Sequence, residues 1–540
     1  MATVFSMDRV LLKQRDRYSV EIKARYLLEE TRRARHTYGL RVYFFLPQPF
    51  RISRATYDSQ SFFRQLKLYL RFNTPVFSIE ELLEPLSDGS PLIRVEKLLH
   101  RHVHDGESLE KPAFVYESKL LGTVFKSILR DFLQRARRKI VQERPSKDTV
   151  DSLEGEVKAA HSVAQRFHRV AEQIESGNKR QIEAPQTAQE EDPGFREHVR
   201  MIDEHMSLLL EKYLATILTF CDAQKQDDLY GRIVKVLLKE ERYREGRGYP
   251  SRPSSITQQR QFEEYVYREK MLKKYASEVL FFDVDRRDTA KRGEHIAYAV
   301  AAGIAMALAT SIAFFGQTRF GNVSTSLFAV LVAGYILKDR VKDIFRDMLK
   351  RRLGPHLNDR VSRIREHRRR KRLATVSERA YYVEEPKLEE EIRGLRDRGY
   401  FEKTLFAEDE ERILLYAKKL SINRRNLTAV HSRVNGVADI NMVDLTPFLR
   451  HLSAQYGFVP TIESKKRVRL HRVKRIYHLN LVIAHDGPRG TVAGRFRLVV
   501  DANGIKRIEP VTGGSYLSNE GLRLVPTAAS EPGDEAEEEY

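Results

Sequence analysis

One cysteine, Cys221, is all that the 540 residues contain. A lone thiol excludes an intrachain disulfide and a thiolate zinc site, and it suits a reducing compartment, so the soluble bulk of the chain is expected in the cytoplasm. Within a helix-forming stretch Cys221 itself reads as a small buried apolar residue. The chain has no Gly-Lys dipeptide and therefore no GxxxxGK[ST] phosphate loop. Neither HExxH nor GxSxG occurs. The glycines Gly246 and Gly248 lack the third member of a dinucleotide fingerprint and run into Pro250, which makes them a linker. The first thirty residues alternate charge with hydrophobes, without an apolar core or cleavage site, so no signal peptide is expected in them. These absences leave no catalytic residue and no cofactor to assign.

Two constellations come nearest to a site. His100, His102 and His104 alternate ahead of Asp105-Gly106. On a strand the three imidazoles would share a face and could hold a metal; on a helix or loop they would not converge, and Asp-Gly marks a turn. The plain polar turn is the favoured reading, so no metal is assigned. His478 and Asn480 share a strand face near His471 and His485, but no carboxylate is identifiable to orient a base, and catalysis is not assigned there either.

What the chain has is positive charge and one long apolar interruption. Lys and Arg number 95 against 75 Asp and Glu, a net charge of +20 that favours anionic partners. Ile296 to Phe315 is twenty residues without a charge, in a chain that is otherwise 31% charged. As a helix this stretch reaches about 30 Å, the thickness of a hydrocarbon core. A short polar turn follows, and Val323 to Leu337 supplies fifteen more uncharged residues. The pair reads as a transmembrane hairpin, with spans 296–315 and 323–337; a buried core hairpin of a soluble domain is the alternative. Small residues recur every fourth position, at Ala299, Gly303, Ala307 and Ser311 on the first helix and at Thr325, Ala329 and Ala333 on the second, which predicts the packing face. The spans hold no carboxylate or lysine, so an ion path is a poor fit.

Charge position supports the membrane reading. Basic residues crowd both outer ends while the loop between carries only Arg319, so both termini are expected on the cytoplasmic side of an inner membrane. From Lys338 to Arg372 there are 4 Lys and 11 Arg against 5 acidic residues, half of the chain's excess charge. Lys338, Arg340, Lys342, Arg346, Lys350, Arg351 and Arg352 would meet anionic headgroups along an amphipathic continuation of the second helix to Leu353. A second short helix is expected over Leu357, Val361 and Ile364. The run His367 to Arg372 has no interleaved aromatics, so nucleic acid is disfavoured as its partner.

The remaining periodicities predict a mixed α+β membrane protein with a helix-rich N-terminal region, the two-helix hairpin and a β-rich antiparallel C-terminal domain. Residues 1–110 form a small α+β module with a strand over Leu40–Phe50 and a helix over Tyr57–Phe72. Residues 111–290 form a helical bundle or stalk, its stripes Val157, Ala160, Val163, Phe167, Val170, Ile174 and Ile202, Met206, Leu209, Tyr213, Ile217, Phe220 separated by a flexible loop at about 177–194. A basic collar at 338–372 and a helical linker at 373–404 lead to a β-rich domain at 405–525. There RVRLHRV, RIYHLNLVIAHD and RFRLVVDANGIKRIEPV predict at least three strands, with Asn503-Gly504 as a hairpin turn. Residues 526–540 read as a disordered acidic tail. The functional expectation is a membrane-anchored scaffold, assembly or sensory protein, not an enzyme, whose partners are the anionic bilayer and a cytoplasmic protein, with self-association allowed. A membrane-tethered enzyme and a membrane-associated nucleic-acid binder are the alternatives.

Overall fold

The computed structural model describes residues 4–7, 10–28, 35–87, 89–105, 108–142, 147–182, 193–250, 259–321, 324–353, 358–366, 371–396, 411–430, 433–462, 468–488, 490–511 and 522–524. The chain begins with four strands, β1 (Val4–Met7), β2 (Val10–Gln14), β3 (Ser19–Leu27) and β4 (Arg35–Leu46). Helix α1 (Ser59–Gln65), capped by the Asp58 carboxylate, passes straight into β5 (Leu66–Phe72). The helix predicted over Tyr57–Phe72 is therefore half strand. Leu66, Leu68, Leu70 and Phe72 are buried while the residues between them are not, and ladder pairing along this period-two face outweighs helical propensity.

Helices follow: α2 (Ile79–Leu83), α3 (Pro91–His104), α4 (Lys111–Arg137), α5 (Lys147–Ile182), α6 (Pro193–Ala223), α7 (Asp227–Arg247) and α8 (Gln259–Ser277). Ser78 closes a capping box with Glu81, and Gly248, at φ 65°, ends α7 in the left-handed conformation that glycine adopts without strain. The stripes Val157 to Ile174 and Ile202 to Ile217 are buried between the long helices, as their spacing predicts. Of the loop expected at 177–194, residues to Ile182 continue α5 and 183–192 lie outside the described residues.

Next come β6 (Asp283–Asp288), α9 (Thr289–Phe320), α10 (Thr325–Leu353), β7 (Arg360–Arg365), β8 (Arg372–Val383) and α11 (Glu390–Leu395). Val361 and Ile364 thus lie in a strand rather than in the short helix expected, Leu357 falls outside the described residues, and the first part of the expected linker 373–404 is β8. Sheet pairing explains each correction: Ile364 and Val376 point into the core while their neighbours do not. The last strands are β9 (Arg412–Asn423), β10 (Gly436–Asp444), β11 (Tyr456–Ile462), β12 (Val468–Lys474), β13 (Tyr477–Gly487), β14 (Gly490–Asp501), β15 (Gly504–Pro510) and β16 (Leu522–Leu524).

These strands form an antiparallel six-stranded sheet ordered β16-β1-β2-β3-β10-β5, an antiparallel eight-stranded sheet ordered β15-β14-β13-β4-β9-β8-β7-β6, and a separate β11-β12 ribbon. The expected hairpin at Asn503-Gly504 is present as β14 and β15, where Asp501 pairs with Gly504 at φ 125°. The expected strand RVRLHRV is present from Val468 onward as β12, which pairs with β11 and not with the strands around it, while Arg467 falls outside the described residues. The expected separation of a 1–110 module from a 405–525 domain does not hold. Strand β4 lies between β13 and β9, and β10 between β3 and β5, so both ends of the chain build both sheets. Tyr38, Leu40, Val42, Phe44 and Leu46 of β4 enter the main core with the bundle, while Tyr43 and Phe45 pack with Leu388, Ile392 and Leu395 beneath α11 on the other face.

Candidate functional site

The helical pair is mounted on the edge of the eight-stranded sheet. Strand β6 leads into α9, α10 leads back toward β7, and β6 pairs with β7 in register from Asp283–Arg365 to Asp288–Arg360. The helices pack on each other, and Arg346 of α10 lies 4.3 Å from the ring centroid of Tyr298 on α9. Their large apolar side chains face outward: Phe314 is 65% exposed, Phe315 71% and Phe328 69%. Tyr298–Arg319 is long and apolar enough to cross a bilayer, 22 residues with a mean hydropathy of 1.9 and only 17% of the apolar window buried. Among the described residues it is the one stretch that is, and the second predicted span, 323–337, does not reach that length before Lys338, Asp339 and Arg340.

The packing face differs from the predicted stripe. Ala299, Gly303, Ala307, Ser311, Thr325, Ala329 and Ala333 are all exposed. Contact runs instead through Ala301, Ala305, Ile312 and Gly316 on α9 and Leu327, Val330 and Gly334 on α10. A Cβ at Gly316 would stand 3.0 Å from Val330 Cγ1, and one at Gly334 3.1 Å from Ile312 Cγ2, whereas one at Gly303 would meet nothing within 4 Å. Four-residue spacing fits several parallel stripes on an alanine-rich helix, and only the partner helix selects one. Of the collar, Lys338, Arg340, Lys342 and Arg346 lie along α10 at half-exposed or exposed positions, Lys338 stacking over Tyr335 at 3.9 Å. Lys350, Arg351 and Arg352 lie on its last turn, and His367 to Arg370 fall outside the described residues.

A second feature, absent from the motif reading, is a cavity of about 290 Å³ between the six-stranded sheet and the bundle. Ala438 of β10 pairs with Arg25 on β3 and with Arg71 on β5, so two guanidinium stems flank a methyl group across three adjacent strands. Helix α4 contributes Thr123, Lys126, Ser127 and Arg130 at helical spacing, and α8 contributes Lys270, Lys273 and Lys274. Asp131 is the one carboxylate among the described residues that line it, and Arg130 meets it at 3.2 Å. Leu27, Val76, Phe77 and Phe281 add an apolar part of the wall, and Asn73, Thr74, Ser277 and Asn435 a neutral polar part. His205 of α6 reaches the cavity where Gly122 lets α4 and α6 approach closely; a Cβ there would stand 3.3 Å from the imidazole. Burial, and after it the charges of Lys126, Lys273 and Lys212, push that imidazole down to about 3, so His205 is neutral in a positive field.

Two buried polar networks are closed to solvent. In the bundle, His168 Nδ1 stands 2.6 Å from Asp203 Oδ1 and its Nε2 3.3 Å from Glu240 Oε2. Ser207 donates to Glu240 at 2.7 Å, Arg244 donates to Ser207 at 2.9 Å, and Tyr243 and Tyr249 donate to Asp203 at 2.8 and 2.7 Å. Burial alone would lower the His168 pKa, but the hydrogen bonds and charges of Asp203 and Glu240 outweigh it and hold the imidazolium at about 9. Burial raises the Glu240 carboxyl, and hydrogen bonds from His161 and His168 overcome this and hold it well below the usual range. Between the sheets, Lys418 donates to Asp439 at 2.6 Å and Asn441 at 2.9 Å, with both side chains of the ion pair at 0% exposure. Tyr416 donates to Glu378 at 2.5 Å beside them. Both networks complete buried charges rather than present them to a substrate.

His100, His102 and His104 lie on the exposed last turns of α3, where only His100 and His104 come together, with ring centroids 4.4 Å apart. The described residues contain no group of three or more ligating side chains able to hold a metal. Asn480 is buried and accepts from Arg495 at 3.1 Å, and His485 stacks on Tyr26 at 5.4 Å, while His471 lies on the exposed ribbon, so these do not assemble as a base. Comparison with protein-family models, with curated proteins and with solved structures finds no match to the chain.

Proposed function

We propose that the protein is a membrane-anchored scaffold or sensory component: α9 enters the inner membrane, α10 returns beside it, and the strand-built body with its bundle stays on the cytoplasmic side, where it engages a protein partner. One observation carries this reading. Residues before α9 and after α10 pair within the same sheets, down to β6 against β7 at the foot of the helices, so a chain that crosses at α9 has to come back at α10. Helices α9 and α10 are 32 and 29 residues long, about 48 and 43 Å, enough to reach through a bilayer and return. Exposed phenylalanines on a packed helix pair favour lipid over water as the surrounding medium. Arg346, which lies over Tyr298 at the start of the apolar stretch of α9, would then meet anionic headgroups.

The test is topological. In a Cys221→Ser background, Ala2→Cys, Thr318→Cys and Tyr540→Cys variants are expressed in bacteria, membranes are washed with salt and alkali, and intact cells are treated with an impermeant thiol reagent. Retention in the washed membrane with labelling only of Thr318→Cys is the expected result. Release by alkali, or labelling at either end of the chain, refutes the anchored topology.

A further inference from the structure

Strands β11 and β12 stand apart from both sheets. They pair only with each other, in register from Tyr456–Lys474 to Ile462–Val468, and every residue of both strands is exposed. A two-stranded ribbon with nothing packed on it is marginal in water, so this one implies a surface that covers it. Directly paired residues of an antiparallel ladder share a face. Phe458, Pro460, Ile462, Val468 and Leu470 therefore project on one side, with Phe458 66% exposed, Leu470 68% and Ile462 77%. Toward the base the same side carries Tyr456, Arg472 and Lys474, and the Arg472 guanidinium lies 3.6 Å from the Tyr456 ring centroid. Val459, Thr461, Arg469 and His471 lie on the opposite side. Residues 456–475 hold seven Lys and Arg against one carboxylate, Glu463.

The occupant of this surface has to offer both hydrocarbon and negative charge. A second copy of the ribbon brings apolar side chains but sets one cationic surplus against another. The acidic end of this chain, Glu531 to Tyr540, brings six carboxylates but no Leu, Ile, Val or Phe to cover the apolar side. A nucleic-acid groove would take Arg469 and His471 on the polar side and leave Phe458 and Ile462 in water. An anionic bilayer supplies acyl chains and phosphates in adjoining layers.

We infer that the β11–β12 ribbon lies in the headgroup layer of an anionic membrane, with Phe458, Ile462, Val468 and Leu470 against the acyl chains and Arg472 and Lys474 at the lipid phosphates. Amphipathic elements with an apolar side and nearby cations bind in this plane, their apolar side sunk about 5–10 Å. Each strand has seven residues, fewer than the roughly nine to eleven that a membrane-crossing strand needs, so the ribbon rests on the bilayer and does not traverse it. This contact does not depend on α9 and α10 crossing; where they cross, it gives the body a second point of attachment.

The chain contains no tryptophan, so Phe458→Trp places a single fluorophore on the apolar side. The full-length variant is reconstituted into vesicles of phosphatidylcholine, with or without added phosphatidylglycerol, and its emission is recorded with and without brominated acyl chains. Leu86→Trp, at a position of the body that is 88% exposed, is the reference. In anionic vesicles Phe458→Trp is expected to emit at shorter wavelength than Leu86→Trp and to be quenched about twofold more or better, and high salt or neutral lipid should remove at least about half of that excess. Ile462→Asp/Leu470→Asp and Arg472→Gln/Lys474→Gln, at exposed positions, should each reduce the excess in the Phe458→Trp chain with the melting temperature unchanged. Equal quenching of Phe458→Trp and Leu86→Trp, or quenching indifferent to both double variants, overturns the inference and assigns the face to a protein. Retention of the reconstituted chain through an alkali wash reads the helical anchor separately. Should alkali release it, the anchor fails, and the same comparison on chains added to preformed vesicles decides the ribbon by the same outcomes.

Discussion

His168 makes the bundle a reporter of its own proton. The imidazole is held between Asp203 and Glu240, and its pKa of about 9 stands above the ordinary 6.5 because the charged form satisfies two buried carboxylates. The folded protein thus binds this proton more tightly than the unfolded chain, so the stabilisation is complete below pH 6.5 and disappears as the pH climbs through 9. The difference between the two values, at about 1.4 kcal/mol per unit, amounts to roughly 3 kcal/mol. That corresponds to several degrees in the melting temperature of a domain of this size. The assay compares the wild type with His168→Gln from pH 6 to 9.5, by thermal melting and by amide exchange in α5, α6 and α7. At pH 6 the variant melts lower, because its two carboxylates have lost their cation; by pH 9.5 the wild type has lost it too and the curves converge. Parallel profiles across the whole range would refute the charge assignment. Titrating groups outside this network contribute equally to both proteins and cancel in the difference.

The remaining predictions concern packing. Lys418→Met leaves Asp439 charged at 0% exposure between the two sheets and is expected to cost about 3–5 kcal/mol in denaturant titration, with much of that loss recovered in Lys418→Met/Asp439→Leu. No recovery in the double variant would mean that the pair contributes through its wider hydrogen-bond network rather than as an ion pair. Gly316→Ile and Gly334→Ile should each destabilise the helical pair by about 1–3 kcal/mol, read as increased protease sensitivity of α9 and α10, because each new side chain meets the facing helix. Gly303→Ile should change stability by less than about 0.5 kcal/mol. Equal damage at 303 and 316 would restore the stripe that four-residue spacing alone predicts.

Local signals in the sequence carried what local physics decides. The apolar run at 296–315, the amphipathic stripes of α5 and α6, the alternation in β13 and the Asn503-Gly504 turn are each governed by residues within one or two turns of each other, and each forms its element. The helical period misled at Leu66–Phe72, where the distant partner β10 draws the chain into a ladder that no window of neighbouring residues contains, and at Val361–Ile364, where β7 is held between the distant β6 and the adjacent hairpin strand β8. The same non-local pairing joins β4 to β9 and β13 across more than 360 residues, and this makes one body of two ends that composition and linkers divide. The candidate cavity was hidden for that reason. Lys126, Arg130, Lys270 and Lys273 look like ordinary solvated helix faces, and Arg25 and Arg71 like outward strand residues; only the register that sets both arginines beside Ala438, and the docking of α4 and α8 over that row, gathers their charge around one volume. Sequence determines each residue's charge and local period, while the sign and strength of a site depend on distances between segments, and those exist only once the chain has folded.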